Sequence, residues 1–478
     1  MYVDVTFQDW LATAEAERPG LLLKIIESYK ASDDFLHALA ANDYFRADNR
    51  EVGKKTVLRA MSVKTTDESG RTRKQSDTKE VVGNRVRSAF FFRFVTQQNQ
   101  FLLSNGVTLE DDSYKNALGA DFDKTLERMG ERALVQGCAW GFWNVDHLEV
   151  IEAARDALSG AVALLDEMTS EPMMLVQYWQ LGDNRPMYVR LFDLDGMSMY
   201  RTDKYGKQLQ EIDGTRRAYI VHTMTDSMGT VVTSTQGYGR LPVRPLWASE
   251  ERRSELTAAI KSKIDLYDRI LSDFGDNLDR ANDVYWVLNN FGGTMDEIAE
   301  TLEQISRIKA VANFSDGTGT SSTAEPHTIE VPYAARRAAL DLLERALYQD
   351  YMALDMDALT GSSLTNVAIR VATANLNLKA DRYEWQVRQF VQDILALIGK
   401  PTDQIRFKRQ SIANESEVVA DIAVMRADID QRTALKLNPY IQDDSEIDNI
   451  IGNTDAETVS GFATMEELDN AIKGGDDR

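Results

Sequence analysis

The sequence predicts an α+β fold that is mainly helical, and three observations carry this. Long stretches toward both ends keep apolar residues three or four apart, the spacing of one helix face. Between Trp140 and Val243 the texture changes to alternating runs such as "MMLVQYWQL", "MYVRLFDL", "SMYRTD" and "AYIVHTMT", separated by Gly and Asp turns, as antiparallel strands require. Further on, two long helical patterns flank a short strand–helix–strand insertion, the layout of a stalk with a tip.

"LLLKIIESYKASDDFLHALAANDYF" reads as helices. Arg46 to Lys79 is polar and locally basic, with "DESGRTRKQSDTK" at its tip, and reads as a loop or arm. Arg71, Arg73 and Lys74 in it are cations open to a phosphate, a lipid or an acidic partner, or merely solvated. "NRVRSAFFFRFVTQQNQFLLSNGVTL" is a strongly apolar helix stopped at Asn105-Gly106. "YKNALGADFDKTLERMGERALVQGCAW" reads as another helix. "YGRLPVRPLW" is a proline-containing extended segment that ends the sheet.

From Glu250 to Asp283 the positions Leu256, Ile260, Ile264, Tyr267, Leu271, Phe274 and Leu278 form one apolar stripe, with charges elsewhere. "VYWVLNNF" is a strand, and Thr294…Glu297 after two glycines is a capping box opening a helix to about Ala310. "AVANF" is a strand, "SDGTGTSSTAEP" a loop and "HTIEVP" a strand. A second long helix covers about Ala334 to Leu354, and a third runs to about Ile398 before Gly399-Lys400-Pro401. "IRFKRQSI" is a strand, and Asn414 to Gly474 an acidic helical tail with start signals at Asn414…Glu417 and Thr464…Glu467. Neither stalk helix is apolar all round, so each needs neighbours. The sequence offers no other stalk partner, which points to other copies of the chain, and head-to-tail copies close into a ring.

Composition narrows the function. The 478 residues, 43% hydrophobic and 9% aromatic, can bury a core and suggest several domains. A net charge of −22 argues against a protein that wraps nucleic acid by neutralising phosphates. One cysteine, Cys138, leaves no internal disulfide or cysteine-based metal site, and reads as a small buried residue. No apolar run approaches the ~18 residues of a spanning helix, and no leader pattern opens the chain, so the expectation is a cytosolic product that avoids membranes.

The chemistry-bearing patterns are weak. His37, His147, His222 and His327 show no metal-ligand spacing, and Asp193-Leu194-Asp195-Gly196 lacks the rest of a calcium loop. "GTGTSS" from Gly317 lacks the lysine of a phosphate loop. Gly361-Ser362-Ser363, in "LDMDALTGSSLTNVAIR", sits at the mouth of the third long helix. It is open to three readings: a phosphate cradle, a nucleophilic serine, or a hinge that stays clear of something large. It is not G-x-S-x-G and no strand precedes it, so the nucleophile is the weakest of the three. The chain is therefore expected to have no catalytic residues, no metal and no cofactor.

Three blocks, in this order and at these distances, resemble the portal, or head-to-tail connector, proteins of tailed double-stranded DNA bacteriophages, closest to the long-tailed siphophage type. They are "NRVRSAFFFRFVTQQNQFLLSNGVTL", "GRLPVRPLWASEERRSELTAAIKSKIDLYDRILSDFGDNLDRANDVYWVLNNFGG" and "LTGSSLTNVAIRVATANLNLKADRYEWQVRQFVQDIL". The second carries an Ile-Asp-x-Tyr-Asp run and a Ser-Asp pair. Ala248-Ser249 departs from the two asparagines common there, and neither the 51–79 segment nor the acidic tail matches a pattern of the family.

The resemblance implies a subunit with wing (1–249 and 361–411, long wing helix 364–398), stem (250–282 and 334–354), clip (283–333), tunnel loop (355–363) and crown (412–478). It implies a head-to-tail ring, typically of twelve, at one capsid vertex of the virion, assembled in the host cytoplasm. DNA would pass through it without sequence specificity, during packaging and ejection. The implied partners are the terminase large subunit, head-completion or adaptor proteins, scaffolding protein and major capsid protein. The channel site would be Asp355, Asp357, Thr360, Gly361, Ser362, Ser363, Leu364, Thr365 and Asn366. The docking site on the clip would be Asp296, Glu297, Glu300, Glu303 and Arg307. Competing expectations are a structural or scaffold-like virion protein without a channel, and a hydrolase using Ser362 or Ser363.

Overall fold

The computed structural model describes residues 3–49, 56–66, 72–203, 206, 208–212, 216–225, 231–281, 285–289, 323–327, 333–356, 366–410, 415–425, 429–438, 441, 447 and 450–451. The chain divides into two units. One comprises Met1–Ala353 with Lys379–Arg409, the other Leu354–Leu378 with Gln410–Arg478.

The first unit opens with helices α1 (Phe7–Ala12), α2 (Arg18–Ala31) and α3 (Asp33–Phe45). Thr6 and Asp9 close a capping box on α1, and the Ser32 hydroxyl caps α3 by accepting from the Phe35 N–H. The segment read as a loop is instead a hairpin. Strands β1 (Thr56–Thr66) and β2 (Thr72–Val82) pair antiparallel from Thr56↔Val82 to Thr66↔Thr72. Among the described strands the two pair only with each other, and such a ribbon does not require the apolar alternation that marks a strand packed on a core.

Helix α4 begins at Phe90, not at Asn84, and ends at Leu103. Residues 84–89 belong to no helix or strand. The stretch read as one helix after it is two, α5 (Asp112–Leu118) and α6 (Phe122–Gln136), preceded by the short strand β3 (Val107–Leu109). Gly119, at φ +83°, breaks them apart, and Gly137, at φ +88°, ends α6 and launches a strand at Cys138.

Strands β4 to β14 follow as expected. β6 (Ala154–Asp156), β7 (Ser159–Leu165), β8 (Pro172–Gln180), β9 (Met187–Phe192), β10 (Met197–Thr202) and β11 (Leu209–Glu211) form an antiparallel meander in chain order. β12 (Ile220–Thr225) and β13 (Val231–Gln236) make a separate hairpin. β14 (Val243–Trp247) pairs with β4 (Cys138–Asn144), which pairs with β5 (His147–Glu152). Pro245 is tolerated because β14 is an edge strand.

The first stalk helix, α7, runs from Ala258 to Ala281, about 36 Å at 1.5 Å per residue. Residues 250–257 stay out of it. The Ser254 hydroxyl donates to the Val135 carbonyl, and the Glu255 N–H to the Leu134 carbonyl, which fixes that stretch on α6. β15 (Tyr285–Asn289) pairs with β16 (Thr323–His327), so "TAEPH", expected as loop and strand start, is strand. The expected helix from Thr294 to Ala310, the strand "AVANF" and the signal at Thr464 lie outside the described residues.

The second stalk helix, α8 (Tyr333–Tyr351), returns antiparallel to α7: Lys263 pairs with Asp350 at one end, and the Phe274 and Tyr333 rings meet at the other. The two helices therefore find part of their neighbours in each other. Helix α9 (Asn366–Leu397) is about 48 Å long and stops at Gly399, φ +74°. β17 (Ile405–Phe407) pairs with β3. Helices α10 (Glu415–Met425) and α11 (Gln431–Leu437) belong to the second unit.

Two cores hold the first unit. One packs α2 and α3 on the meander through Leu22, Ile25, Trp140, Phe142, Leu175 and Phe192. The other gathers α4, α6, the start of α7, the end of α8 and the later part of α9 around Phe90, Phe94, Met129, Ile264, Tyr351 and Phe390. Cys138 is fully buried, and burial pushes its thiol far up, as expected of a packing residue.

Candidate functional site

The second stalk helix ends at Tyr351, the point where the chain heads for the Gly-Ser-Ser segment. The helix closes with a paired turn: the Met352 N–H donates to the Gln349 carbonyl at 3.1 Å and the Ala353 N–H to the Tyr348 carbonyl at 3.0 Å. This motif needs a left-handed residue after the last helical one, and Met352 supplies it at φ +62°. Glycine is the usual occupant, so a methionine there is strained.

Tyr351 itself is 1% exposed. Its ring stacks on Phe94 with centroids 4.7 Å apart, and its hydroxyl donates to Gln98 Oε1 at 2.8 Å. Lys379, where α9 re-enters the first unit, reaches the same place. Its Nζ donates to the Tyr351 carbonyl at 2.8 Å, pairs with Glu255 Oε2 at 2.8 Å, and lies 3.2 Å from the Tyr351 ring centre. The carbonyl is one of the orphan acceptors at a helix end, where a cation is favoured.

Burial lowers the Lys379 pKa and Glu255 opposes that fall. Burial also drives the Tyr351 phenol well above its ordinary value. The chain leaves the first unit after Ala353 and returns at Lys379, and this staple ties the two feet together.

One turn on, Tyr383 is buried beside Gly130 of α6. A Cβ at Gly130 would sit 2.5 Å from the Tyr383 hydroxyl and 2.4 Å from Asn99 Oδ1, so the mid-helix glycine makes room for both. Beyond it, Glu384 pairs with Arg388 at 2.7 Å and with Arg409 at 2.8 Å, holding the strand that pairs with β3.

Of the residues expected in the channel site, Asp355 is half-buried just past the helix end, and Asn366 is the first residue of α9. Asp357, Thr360, Gly361, Ser362, Ser363, Leu364 and Thr365 lie outside the described residues. So do Asp296, Glu297, Glu300, Glu303 and Arg307. Lys379, Glu255 and Met352 were not singled out in the sequence. The available signal was a lysine beside the apolar positions Leu376, Ala380 and Tyr383 of a helix. Among the described residues, no three His, Cys, Asp or Glu side chains gather as metal ligands. No helix among them is long and apolar enough to cross a membrane.

This geometry defines a class: a mixed α+β chain with two antiparallel helices, a two-stranded antiparallel pair between them in sequence, and a stapled point at which the chain leaves and re-enters the first unit. The family follows from comparison. The family model described as "Phage portal protein, SPP1 Gp6-like" matches residues 30–458, and the chain belongs to this family. It is 26% identical over 403 residues to the portal protein of Bacillus phage SPP1, covering 77% of this chain and 75% of that one. It is 22% identical over 390 residues to the portal protein of Clostridium phage phiCD119, covering 77% of this chain and 84% of that one. The fold class and the resemblance read from the three sequence blocks stand.

Proposed function

We infer that the chain is the subunit of a closed portal ring at one capsid vertex, with an axial channel through which a docked terminase packages DNA and from which DNA later leaves. The family match over residues 30–458 carries this reading. In it α7 and α8 form the stem, β15 and β16 belong to the clip, and residues 355–363 are the tunnel loop. The ring has twelve subunits, catalyses nothing itself, and leaves hydrolysis to the terminase. Adaptor, scaffolding and major capsid proteins are its other partners.

The charge supports a conduit. A tunnel whose cations neutralised 6–10 phosphates would bind DNA non-specifically at about micromolar strength and stall it. A chain of net charge −22 repels the backbone instead. In the channel site, Asp355 and Asp357 discourage a phosphate grip, while Thr360, Ser362, Ser363, Thr365 and Asn366 offer weak, exchangeable hydrogen bonds. Gly361 and Leu364 complete the set. The staple of Lys379, Glu255 and Tyr351 gives the loop a fixed base. On the clip, the acids Asp296, Glu297, Glu300 and Glu303, together with Arg307, are the docking residues for a basic partner in this reading.

Images of assembled heads viewed down the vertex test this. A ring with an axial hole of about 20 Å or more, the width of a duplex, is expected; a ring without one would leave a structural virion component. Charge reversal at Glu300 and Glu303 should lower terminase-driven packaging and leave ring assembly intact. Loss of assembly would move those residues out of the docking site.

A further inference from the structure

The family-like run Ile264-Asp265-Leu266-Tyr267-Asp268 and the Ser272-Asp273 pair lie apart in sequence from the tunnel loop and include no residue of the staple. The structure gives their helix face a specific arrangement. Asp268 and Ser272 are 0% exposed and Asp276 is 8% exposed, at positions i, i+4 and i+8 of α7. Each accepts a main-chain N–H from the segment that precedes α4. Ser88 donates to Asp268 Oδ1 at 2.9 Å, Val86 to Ser272 Oγ at 3.0 Å, and Asn84 to Asp276 Oδ1 at 2.7 Å.

The two periods match. Four helical residues advance about 6.0 Å and two residues of extended chain about 6.6 Å, so one helix face can serve every second N–H of a segment running antiparallel to it. The Ser272 hydroxyl in turn donates to the Asp268 carbonyl at 2.6 Å. Gly275 supplies the clearance, since a Cβ there would lie 3.1 Å from Asn84 Nδ2. The same face also takes the chain before the hairpin: Asn49 Nδ2 donates to Asp268 Oδ2 at 2.9 Å, and the Tyr44 hydroxyl donates to Asp265. Asn49 and Asn84 bracket the hairpin of β1 and β2, so both of its roots are held by one helix.

We propose that Asp265, Asp268, Ser272 and Asp276 are the mount of this hairpin. They clamp its two roots to α7 so that roots and hairpin open and close as one cooperative unit, separate from the apolar core on the neighbouring side of the same helix. Hydrogen bonds to fixed acceptors hold the strap of residues 84–88, not a sheet, so it can detach without disrupting a β-ladder. The mount does not depend on ring formation.

Native-state hydrogen exchange on the full chain tests it, comparing wild type with Ser272→Ala and Asp268→Asn. Loss of a neutral acceptor should raise exchange at the Val86 amide roughly fivefold or more. Loss of the carboxylate, which faces both roots, should raise it at Ser88 roughly tenfold to a hundredfold. Amides of β1 and β2 should loosen with Ser88, while those of α4 keep wild-type protection. If the amides of Asn84, Val86 and Ser88 do not respond, these side chains do not hold the strap. If α4 loosens to the same degree, the mount is not a separate unit. Should Asp268→Asn unfold the whole chain, the milder Ser272→Ala decides between these outcomes.

Discussion

Along one side of α7, Ile260 and Ile264 are covered by the side chains of the same apolar core that holds Phe90 and Phe94. Along the adjacent side, Asp268, Ser272 and Asp276 are also buried, but against a length of main chain. Both sides exclude water, by different physics. Apolar burial is non-directional and scales with area. The polar side works only because three acceptors stand at the spacing of three donors, and an unmet donor there would cost the full desolvation penalty. One helix thus carries a packing seam and a hydrogen-bonding template side by side.

The largest effect should come from breaking the packing seam. Ile264→Ala is expected to destabilise the first unit by about 2–5 kcal/mol, because the surrounding rings cannot close the cavity. A lower urea midpoint with an unchanged slope is the expected reading. An effect below that of Ser272→Ala would mean that the apolar side contributes less than the mount.

Next comes the staple, a polar contact without a ladder. Lys379→Met removes the partner of Glu255 and the donor to the Tyr351 carbonyl, and should cost about 1–3 kcal/mol. Much of that is an uncompensated carboxylate. Lys379→Met combined with Glu255→Leu should therefore recover part of the loss, as apolar replacements of buried pairs do. A double variant as unstable as the sum of the two singles would reject that cause.

The mount also sets a pH dependence absent from the apolar side. Burial raises the Asp268 carboxyl above its ordinary value, with the Ser88 and Asn49 donors pulling the other way and the nearby Asp265 adding to the rise. A raised value in the closed state means that closure binds the proton more tightly than opening does. This contribution to closure is complete below the ordinary aspartate range near 3.8 and is lost as pH rises through the raised value. Opening at the Ser88 amide, after correction for intrinsic exchange, should grow over that window and flatten in Asp268→Asn. Opening that falls with rising pH would contradict the sign.

What the sequence made legible follows the same division. Apolar periodicity and end signals placed α2, α3, α8 and α9 within a few residues, and Gly399 stops α9 as its type suggests. The hairpin of β1 and β2 was hidden because its strands, which among the described strands pair only with each other, need no apolar face. The strap 84–88 read as helix because its residues run straight into the apolar pattern of α4. Its non-helical form is imposed by acceptors on α7, far away in sequence. Asp268, Ser272 and Asp276 were not singled out for the same reason: a side chain that serves a distant backbone has the composition of one that serves water. Lys379 and Glu255 were invisible as a pair because only the fold brings them together.

The smallest expected effect runs in the opposite direction and concerns the turn that aims the chain out of α8. Met352 holds a left-handed conformation that costs an L-residue about 1–2 kcal/mol, and its N–H and that of Ala353 close the helix end only in that conformation. Met352→Gly removes the strain and gives back part of it through the greater freedom of the unfolded chain. A net gain of up to about 1 kcal/mol in urea unfolding is expected. Met352→Ala keeps the strain and loses side-chain contacts, so it should gain nothing. If glycine and alanine behave alike, the methionine side chain holds the turn and not its backbone. The staple would then act on a helix end already fixed by packing. If glycine alone stabilises, the strain at Met352 is a cost that Tyr351 and Lys379 offset to keep the exit from α8 pointed in one direction.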